Sequence, residues 1–124
     1  MSDVDWEIIE RVMAGEEAVM AAWVFGSAQT GRLRPGGDLD IGVLFAERPA
    51  LEVLTRLRMD LQAALQVDDI DLAPLNEASP ILRFEAISGR AVFCRDAGRR
   101  AIFASMTARE YEDEMAMVQR ALSW

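Results

Sequence analysis

The sequence contains 124 residues, of which 52% are hydrophobic, so residues 1–124 can form one domain with a modest core. Its 21 acidic and 13 basic residues give a net charge of -8, which disfavours direct contact with nucleic acid. There is no histidine and one cysteine, Cys94, which excludes the usual zinc sites, histidine-dependent catalytic triads and an intramolecular disulfide.

The start of the chain differs from a secretion signal. The first five residues, Met-Ser-Asp-Val-Asp, are acidic where a signal peptide is basic, and the longest apolar run, residues 18–25, is too short to cross a bilayer. We therefore expect a cytoplasmic protein that makes no membrane contact.

The first third of the sequence predicts a helix, a strand and a loop. Apolar residues recur at helical spacing over residues 4–20. Residues 21–25 form a short apolar run that ends at Gly26-Ser27, as expected of a buried strand that leads into a turn. Residues 29–37 contain three glycines and a proline, which predicts mostly loop, with one helical turn after Ser27.

The rest of the sequence predicts three strands and three helices. These are a strand at 39–45, a helix at 51–65, a strand at 70–73, a helix at 81–88, a strand at 91–94 and a final helix that begins at the capping-box pattern of Thr107 and Glu110. Residues 95–100 are the most loop-like stretch. A helix between two strands implies a parallel or mixed sheet.

Three aspartates are candidate metal ligands. On a strand, residues two apart point to the same side, so Asp38 and Asp40 can bind one ion, and Asp71 can join them from the next strand. Carboxylates that close together raise one another's pKa unless a cation lies between them, and Mg2+ is the cation that suits oxygen ligands. Gly26 and Ser27 can add amide and hydroxyl donors to a phosphate group. The set predicts metal-assisted phosphoryl or nucleotidyl transfer.

Each of these residues also has an ordinary structural interpretation. Asp38 can be a turn aspartate, Asp71 an exposed carboxylate on an edge strand, and Ser27 a helix N-cap. Asp40 is harder to explain in this way, because its strand would half-bury a charge that needs a partner.

The spacing of these residues resembles a known signature. Gly26-Ser27, ten further residues and Asp38-Leu39-Asp40 resemble the signature of the minimal nucleotidyltransferases of the DNA polymerase beta-like superfamily. The segment 67–80 is similar to the family's third-aspartate strand and the residues after it, and the resemblance covers residues 21–96. It implies a nucleotidyltransferase fold of the α+β (α/β) class, with a mixed, mostly central-parallel four-stranded sheet and helices packed on one side.

The resemblance also implies a role for each residue. Asp38 and Asp40 would bind two Mg2+ ions, and Asp71 would ligate the catalytic ion and help to deprotonate the attacking hydroxyl. Gly26 and Ser27 would hold the triphosphate of ATP. Attack on the α-phosphate would release pyrophosphate.

Three residues depart from the family pattern. Gln29 and Thr30 replace the usual Ala-Arg after the Gly-Ser pair, and Gly37 replaces the usual serine before the first aspartate. An arginine close to the phosphates is therefore absent, and Arg32 or Arg34 is the candidate to replace it.

Small proteins that resemble this family are often antitoxins of HEPN-domain ribonuclease toxins encoded next to them. The resemblance implies transfer of AMP from ATP to a tyrosine of such a toxin, and leaves open a homo- or hetero-oligomer. One alternative is a non-catalytic protein that neutralises the toxin through Met106, Met115 and Met117 of the last helix. Another is a transferase that modifies a small-molecule hydroxyl. The stripe at Tyr111, Met115, Val118 and Leu122 can equally pack on the protein's own core.

Overall fold

The computed structural model describes residues 2–123. In chain order, the elements are β1 (Ser2–Asp3), α1 (Trp6–Ala14), β2 (Val19–Phe25), a 3-10 helix (Gly26–Thr30), β3 (Arg32–Leu33), β4 (Leu39–Phe45), α2 (Leu51–Leu65), β5 (Ile70–Pro74), α3 (Pro80–Ile87), β6 (Arg90–Cys94) and α4 (Ala97–Leu122). Within the described residues, no helix combines the length and the apolar character needed to cross a membrane.

Four strands form the main sheet, in the order β5-β4-β2-β6, and β1 pairs with β3 in a small separate sheet. Only β4 and β5 are parallel, and the other two pairs are antiparallel. The predicted mixed four-stranded sheet is confirmed, but a mostly parallel centre is wrong, because the central β2–β4 pair is antiparallel. A parallel pair needs a long crossover, and α2 supplies the one between β4 and β5.

Helices cover both faces of this sheet. Ile9 of α1 and Leu61 of α2 belong to a buried cluster on one face, whereas Trp23 packs with Ala86 of α3 and Phe103 of α4 on the other. The expectation of helices on one side is therefore wrong. All seven residues of β2 are buried, so the strand presents apolar side chains to both faces, and each face needs a cover.

The first helix is shorter than the sequence predicted. It ends at Ala14, with Gly15 as its C-cap, and Val19 and Met20 belong to β2 rather than to the helix. The Arg95 side chain lies across this junction and donates hydrogen bonds to backbone carbonyls, among them those of Ala14 (2.9 Å) and Val19 (2.9 Å). The apolar spacing alone could not show this break, because both elements bury the same residue types.

The middle of the chain agrees closely with its prediction. The bounds of β4 and α2 are those expected, β5 and β6 differ from the predicted ranges by one residue at one end, and α3 is shifted by one residue at both ends. Their apolar patterns are flanked by glycine or proline, which are strong local signals for the ends of elements.

The last helix starts ten residues earlier than its capping-box pattern indicated. Asp96 is the N-cap, and its carboxylate accepts a hydrogen bond from the Arg99 backbone amide at 3.0 Å. The prediction of loop holds for residues 95 and 96 and is wrong for residues 97–100, which are helical, and Thr107 lies inside the helix. Short capping motifs arise by chance, and the pattern at Thr107 falls within a helix that has already begun at the Asp96 cap.

Candidate active site

The pairing of β4 with β5 brings two of the three candidate aspartates together. Asp40 is directly opposite Asp71 in the parallel register, so both side chains project from the same face of the sheet. Asp38 precedes β4 by one residue. This face is the one covered by α3, because Gly42, two residues after Asp40, lies against Ala86.

The Asp40 carboxyl has a raised pKa. It is half-buried, and burial is the largest cause that raises its pKa above the ordinary value. The negative charges of Asp71, Asp38 and Glu85 raise the pKa further. Asp38 and Asp71 themselves are exposed, as their ordinary structural interpretations expected.

The donor chemistry at this position fits a divalent cation. Within residues 2–123, no hydrogen bond or ion pair compensates the Asp40 carboxylate, and the charges near it are negative. A hard cation that prefers oxygen ligands would stabilise the ionised form of a half-buried carboxylate surrounded by negative charge. Among the described residues, no three acidic, histidine or cysteine side chains already surround one point. Asp38 and Asp71 are exposed, and neither forms an ion pair within residues 2–123.

Gly26 lies in direct contact with Asp40 and links the two halves of the motif. Its φ is +71°, and a Cβ atom there would lie 2.6 Å from the Oδ2 atom of Asp40. A side chain at this position would thus meet both a strained backbone and a steric clash. The glycine is required so that the turn after β2 can approach the carboxylate.

Ser27 follows at the exposed start of the 3-10 helix. Its backbone carbonyl accepts a hydrogen bond from the Thr30 hydroxyl at 3.4 Å. The N-cap of this helix is Phe25, without a side-chain capping bond, so the interpretation of Ser27 as a helix N-cap is wrong. The serine hydroxyl is exposed beside Gly26, where it can donate to a bound group.

The two candidate arginines lie in β3 and in the loop between β3 and β4. Arg32 is in β3, and its Nε atom is 3.9 Å from the Asp3 carboxylate in an exposed ion pair. Arg34 is exposed in the following loop and lines a cleft of about 320 Å³ that also includes Asp69. Exposed ion pairs at this distance hold a side chain weakly. The charges that shift the pKa of Asp40 are those of carboxylates, and neither arginine is among them.

The segment after Asp71 has a structural role that the sequence did not reveal. The Asn76 side chain accepts a hydrogen bond from the Phe45 amide (3.0 Å) and donates one to the Phe45 carbonyl (2.8 Å). Arg83 donates to the carbonyls of Leu75, at 2.8 Å, and of Asn76. These bonds attach the turn before α3 to the end of β4, opposite to the aspartates.

Glu85 is a fourth carboxylate near Asp40, and it was not predicted as a site residue. It is exposed in the last turn of α3, and its charge contributes to the raised pKa of Asp40. No sequence signal marked it, because its distance from Asp40 depends on how α3 packs against β4.

Comparisons with known proteins place the chain in a family. Residues 7–98 match the profile described as polymerase beta, nucleotidyltransferase, and the chain belongs to this family. The predicted family and the predicted enzyme class, a nucleotidyltransferase, are confirmed. None of the curated proteins matches the chain in sequence.

Several solved structures share the fold. A chain from a mutant MntA–HpeT toxin–antitoxin complex has a TM-score of 0.83 at 22% identity, with 96% of each chain covered. A chain from a toxin–antitoxin structure with AMP-PNP has a TM-score of 0.80 at 23% identity, again covering 96% of both chains. A third comes from the complex of the tri-AMPylated Shewanella oneidensis HEPN toxin with its MNT antitoxin, with a TM-score of 0.72 at 22% identity and coverage of 95% of this chain and 96% of the other.

Proposed function

We propose that this chain is a Mg2+-dependent nucleotidyltransferase that transfers AMP from ATP to a tyrosine of a HEPN-domain ribonuclease toxin, and so acts as its antitoxin. The observation that carries the proposal is the contact of Gly26 with Asp40, beside Asp71, in a member of the polymerase beta family. The structurally similar complexes that contain AMP-PNP and a tri-AMPylated HEPN toxin support ATP as the donor and a protein as the acceptor.

The proposed roles follow the geometry of the site. Asp38 and Asp40 would hold Mg2+, and the bound ion would supply positive charge to the attacking and leaving oxygens. Asp71 completes the metal site and accepts the proton of the tyrosine hydroxyl. The tyrosine oxygen bonds to the α-phosphorus, and the bond from that phosphorus to the oxygen bridging to the β-phosphate breaks, so that pyrophosphate leaves.

The phosphates of ATP are bound by the turn after β2. The Gly26 backbone can approach them closely, and the Ser27 hydroxyl and backbone amides of the turn donate hydrogen bonds. In this proposal Arg32 and Arg34 supply positive charge in place of the arginine that usually follows the Gly-Ser pair in the family and that this chain lacks.

Transfer of label from ATP tests the proposal. The chain, Mg2+, ATP labelled in its α-phosphate and the HEPN toxin are incubated together, and we expect label on the toxin. Asp38→Asn should lower the rate at least about 100-fold, because it removes a metal ligand. Asp113→Asn, at an exposed position of α4, is the matched control and should leave the rate unchanged. An unlabelled toxin, or equal labelling by Asp38→Asn, would contradict the proposal.

A non-catalytic antitoxin remains the second candidate, because α4 carries exposed apolar side chains. Met106 and Met117 are 51% and 58% exposed. The stripe of Tyr111, Met115, Val118 and Leu122 packs on the core at its first residue, where the ring centroids of Tyr111 and Phe84 are 4.0 Å apart. At its last residue, Leu122 is 79% exposed. If the double variant Asp38→Asn/Asp40→Asn still protects cells from the toxin, this second candidate is the better one.

A further inference from the structure

The turn that carries Gly26 and Ser27 is short and is bounded by two glycines in the left-handed conformation. Gly26 begins the 3-10 helix with φ of +71°, and Gly31 follows its last residue with φ of +93°. The Gly31 amide donates a hydrogen bond to the Ala28 carbonyl at 2.9 Å, and the bond from the Thr30 hydroxyl is longer, at 3.4 Å. A 3-10 helix of five residues is a weak element, so its position depends on the contacts around it.

Trp6 lies beside the C-terminal end of this turn. It is the first residue of α1 and is half-buried. A Cβ atom at Gly31 would lie 3.5 Å from the Cζ2 atom of the Trp6 indole and 3.8 Å from its Nε1 atom, so the ring borders the Gly31 backbone. The chain before Trp6 adds a second contact, because the Val4 amide donates a hydrogen bond to the Gly31 carbonyl at 2.8 Å. The end of the turn is thus held by one hydrogen bond and one aromatic ring.

Arg90 holds the Trp6 ring from the first residue of β6. The guanidinium carbon is 4.1 Å from the centre of the ring, which is a cation–π contact. The Arg90 backbone pairs with Val24 of β2, two residues before Gly26. Its neighbour Gly89 lies so close to β2 that a Cβ atom there would be 2.4 Å from the Val24 carbonyl oxygen. The Trp6–Arg90 pair therefore connects the strand that leads into the turn with the residue that follows it.

Arg90 and Asp40 belong to opposite faces of the sheet. Arg90 pairs with Val24 of β2, whereas Asp40 pairs with the next residue, Phe25. Successive residues of a strand project to opposite faces, and paired residues share a face. Arg90 can therefore affect a nucleotide beside Asp40 through Trp6 and the turn, rather than by contact with its phosphates.

We propose that Trp6 and Arg90 are positioning residues for the nucleotide: together they hold the Gly26–Thr30 turn in the conformation that binds the triphosphate. The inference rests on the proposed function and concerns the same site. A turn that fluctuates in the unliganded chain must be ordered when the nucleotide binds, and that ordering reduces affinity. Contacts that order the turn beforehand strengthen binding of the triphosphate and leave the chemical step unchanged.

Binding of AMP-PNP with Mg2+, measured by isothermal titration calorimetry, tests the pair without any transfer step. Arg90 is exposed, so Arg90→Gln should fold and should weaken AMP-PNP binding about threefold to tenfold. Arg58→Gln, an equal charge change at an exposed position of α2, is the matched control and should bind as the unmodified chain does. Arg90→Lys keeps a cation at the ring and should retain most of the affinity.

A double-mutant cycle tests whether the two residues act together. Trp6→Leu removes the aromatic ring and should weaken AMP-PNP binding at least as much as Arg90→Gln, with thermal unfolding as the check that the variant is folded. Because Arg90 acts through the ring, Arg90→Gln should cause no further loss in the Trp6→Leu background. Additive losses would overturn the positioning role and indicate that Arg90 contacts the nucleotide directly.

Transfer kinetics and hydrogen exchange separate this inference from the proposed function. With the HEPN toxin as acceptor, Arg90→Gln should raise KM for ATP about threefold to tenfold with kcat unchanged. In the nucleotide-free chain, the backbone amides of residues 26–31 should exchange faster in Arg90→Gln than in Arg58→Gln.

Two results of these measurements would decide between the proposals. Unchanged AMP-PNP affinity or unchanged exchange in Arg90→Gln would overturn the positioning role and leave the transferase proposal standing. Weaker binding and faster exchange in Arg90→Gln, with no label on any acceptor from the unmodified chain, would overturn the transferase proposal and retain the positioning role.

Discussion

Gly26 shows how strongly one residue can constrain the site. Its conformation has φ of +71°, and Gly36 has nearly the same value, +72°. A Cβ atom at Gly26 would meet the Asp40 carboxylate, whereas nothing lies within 4 Å of one at Gly36. Substitution of Gly36 therefore measures the cost of backbone strain alone, whereas substitution of Gly26 measures that strain together with the clash at Asp40.

We predict that Gly26→Ala abolishes AMP transfer and destabilises the fold by about 1–3 kcal/mol, because strain and the clash with Asp40 add together. Gly36→Ala should cost about 1 kcal/mol in stability and retain transfer. Chemical denaturation and the labelling assay measure the two effects. If Gly26→Ala transfers AMP as fast as Gly36→Ala, the contact with Asp40 has no catalytic importance.

The raised pKa of Asp40 predicts how stability depends on pH and on Mg2+. An acid whose pKa is higher in the folded state destabilises the fold once it ionises, so this penalty is present at neutral pH, declines as the pH falls below the raised pKa and disappears below the ordinary pKa of an aspartate. In the absence of metal, Asp40→Asn should thus have a higher Tm than the unmodified chain at pH 7. The difference should vanish at low pH.

Addition of Mg2+ should reverse this order at neutral pH. The ion binds the folded, unmodified chain and raises its Tm, but it binds the Asp40→Asn variant poorly. Thermal unfolding with and without Mg2+ measures both shifts. A Tm of Asp40→Asn below that of the unmodified chain without metal would show that the carboxylate has a favourable partner.

At the scale of elements, the start of α4 provides a direct test of two competing caps. Asp96 caps the helix, whereas Thr107, the cap that the sequence suggested, is 1% exposed and its Oγ1 atom has no hydrogen-bond partner within the described residues. A buried hydroxyl without a partner is unfavourable, and valine has nearly the same shape.

Asp96→Ala is expected to lower the free energy of unfolding by about 1 kcal/mol, because a cap is lost. Thr107→Val should raise it by up to about 1 kcal/mol, since an unsatisfied hydroxyl is removed from the interior. Thr55→Val, exposed on α2, is the control for the substitution itself. If Thr107→Val is the destabilising change and Asp96→Ala is neutral, the helix begins at the predicted position.

At the scale of the whole molecule, net charge opposes folding. The chain carries a charge of -8, and the four ion pairs among residues 2–123 lie mainly on the exposed surface. Such pairs contribute little, so repulsion among the acidic residues is the larger effect. Salt weakens both the ion pairs and the repulsion among acidic residues, and its effect on the repulsion is larger.

We therefore predict that NaCl raised from about 0.05 M to about 0.5 M increases Tm by a few degrees. Thermal unfolding at the two salt concentrations measures it. A decrease in Tm would mean that the ion pairs outweigh the repulsion.

The sequence by itself determined the family, the order of most elements and the candidate residues from Gly26 to Asp71. These signals are local: short apolar runs flanked by glycine or proline, and a motif whose parts lie at the ends of consecutive strands. The pairing of Asp40 with Asp71 could be predicted because the helix between β4 and β5 implies a parallel pair. The roles assigned to these residues remain predictions.

Only the tertiary structure decided which residues surround Asp40 from outside its own sheet. Helices on both faces, the early start of α4 and the approach of Glu85 depend on contacts between distant segments, such as Gly42 with Ala86 and Gly89 with β2. Local patterns do not record such contacts, because the same apolar spacing serves a helix on either face. The structural reason for a glycine becomes clear only when the neighbouring residue that occupies the space of the absent side chain is known.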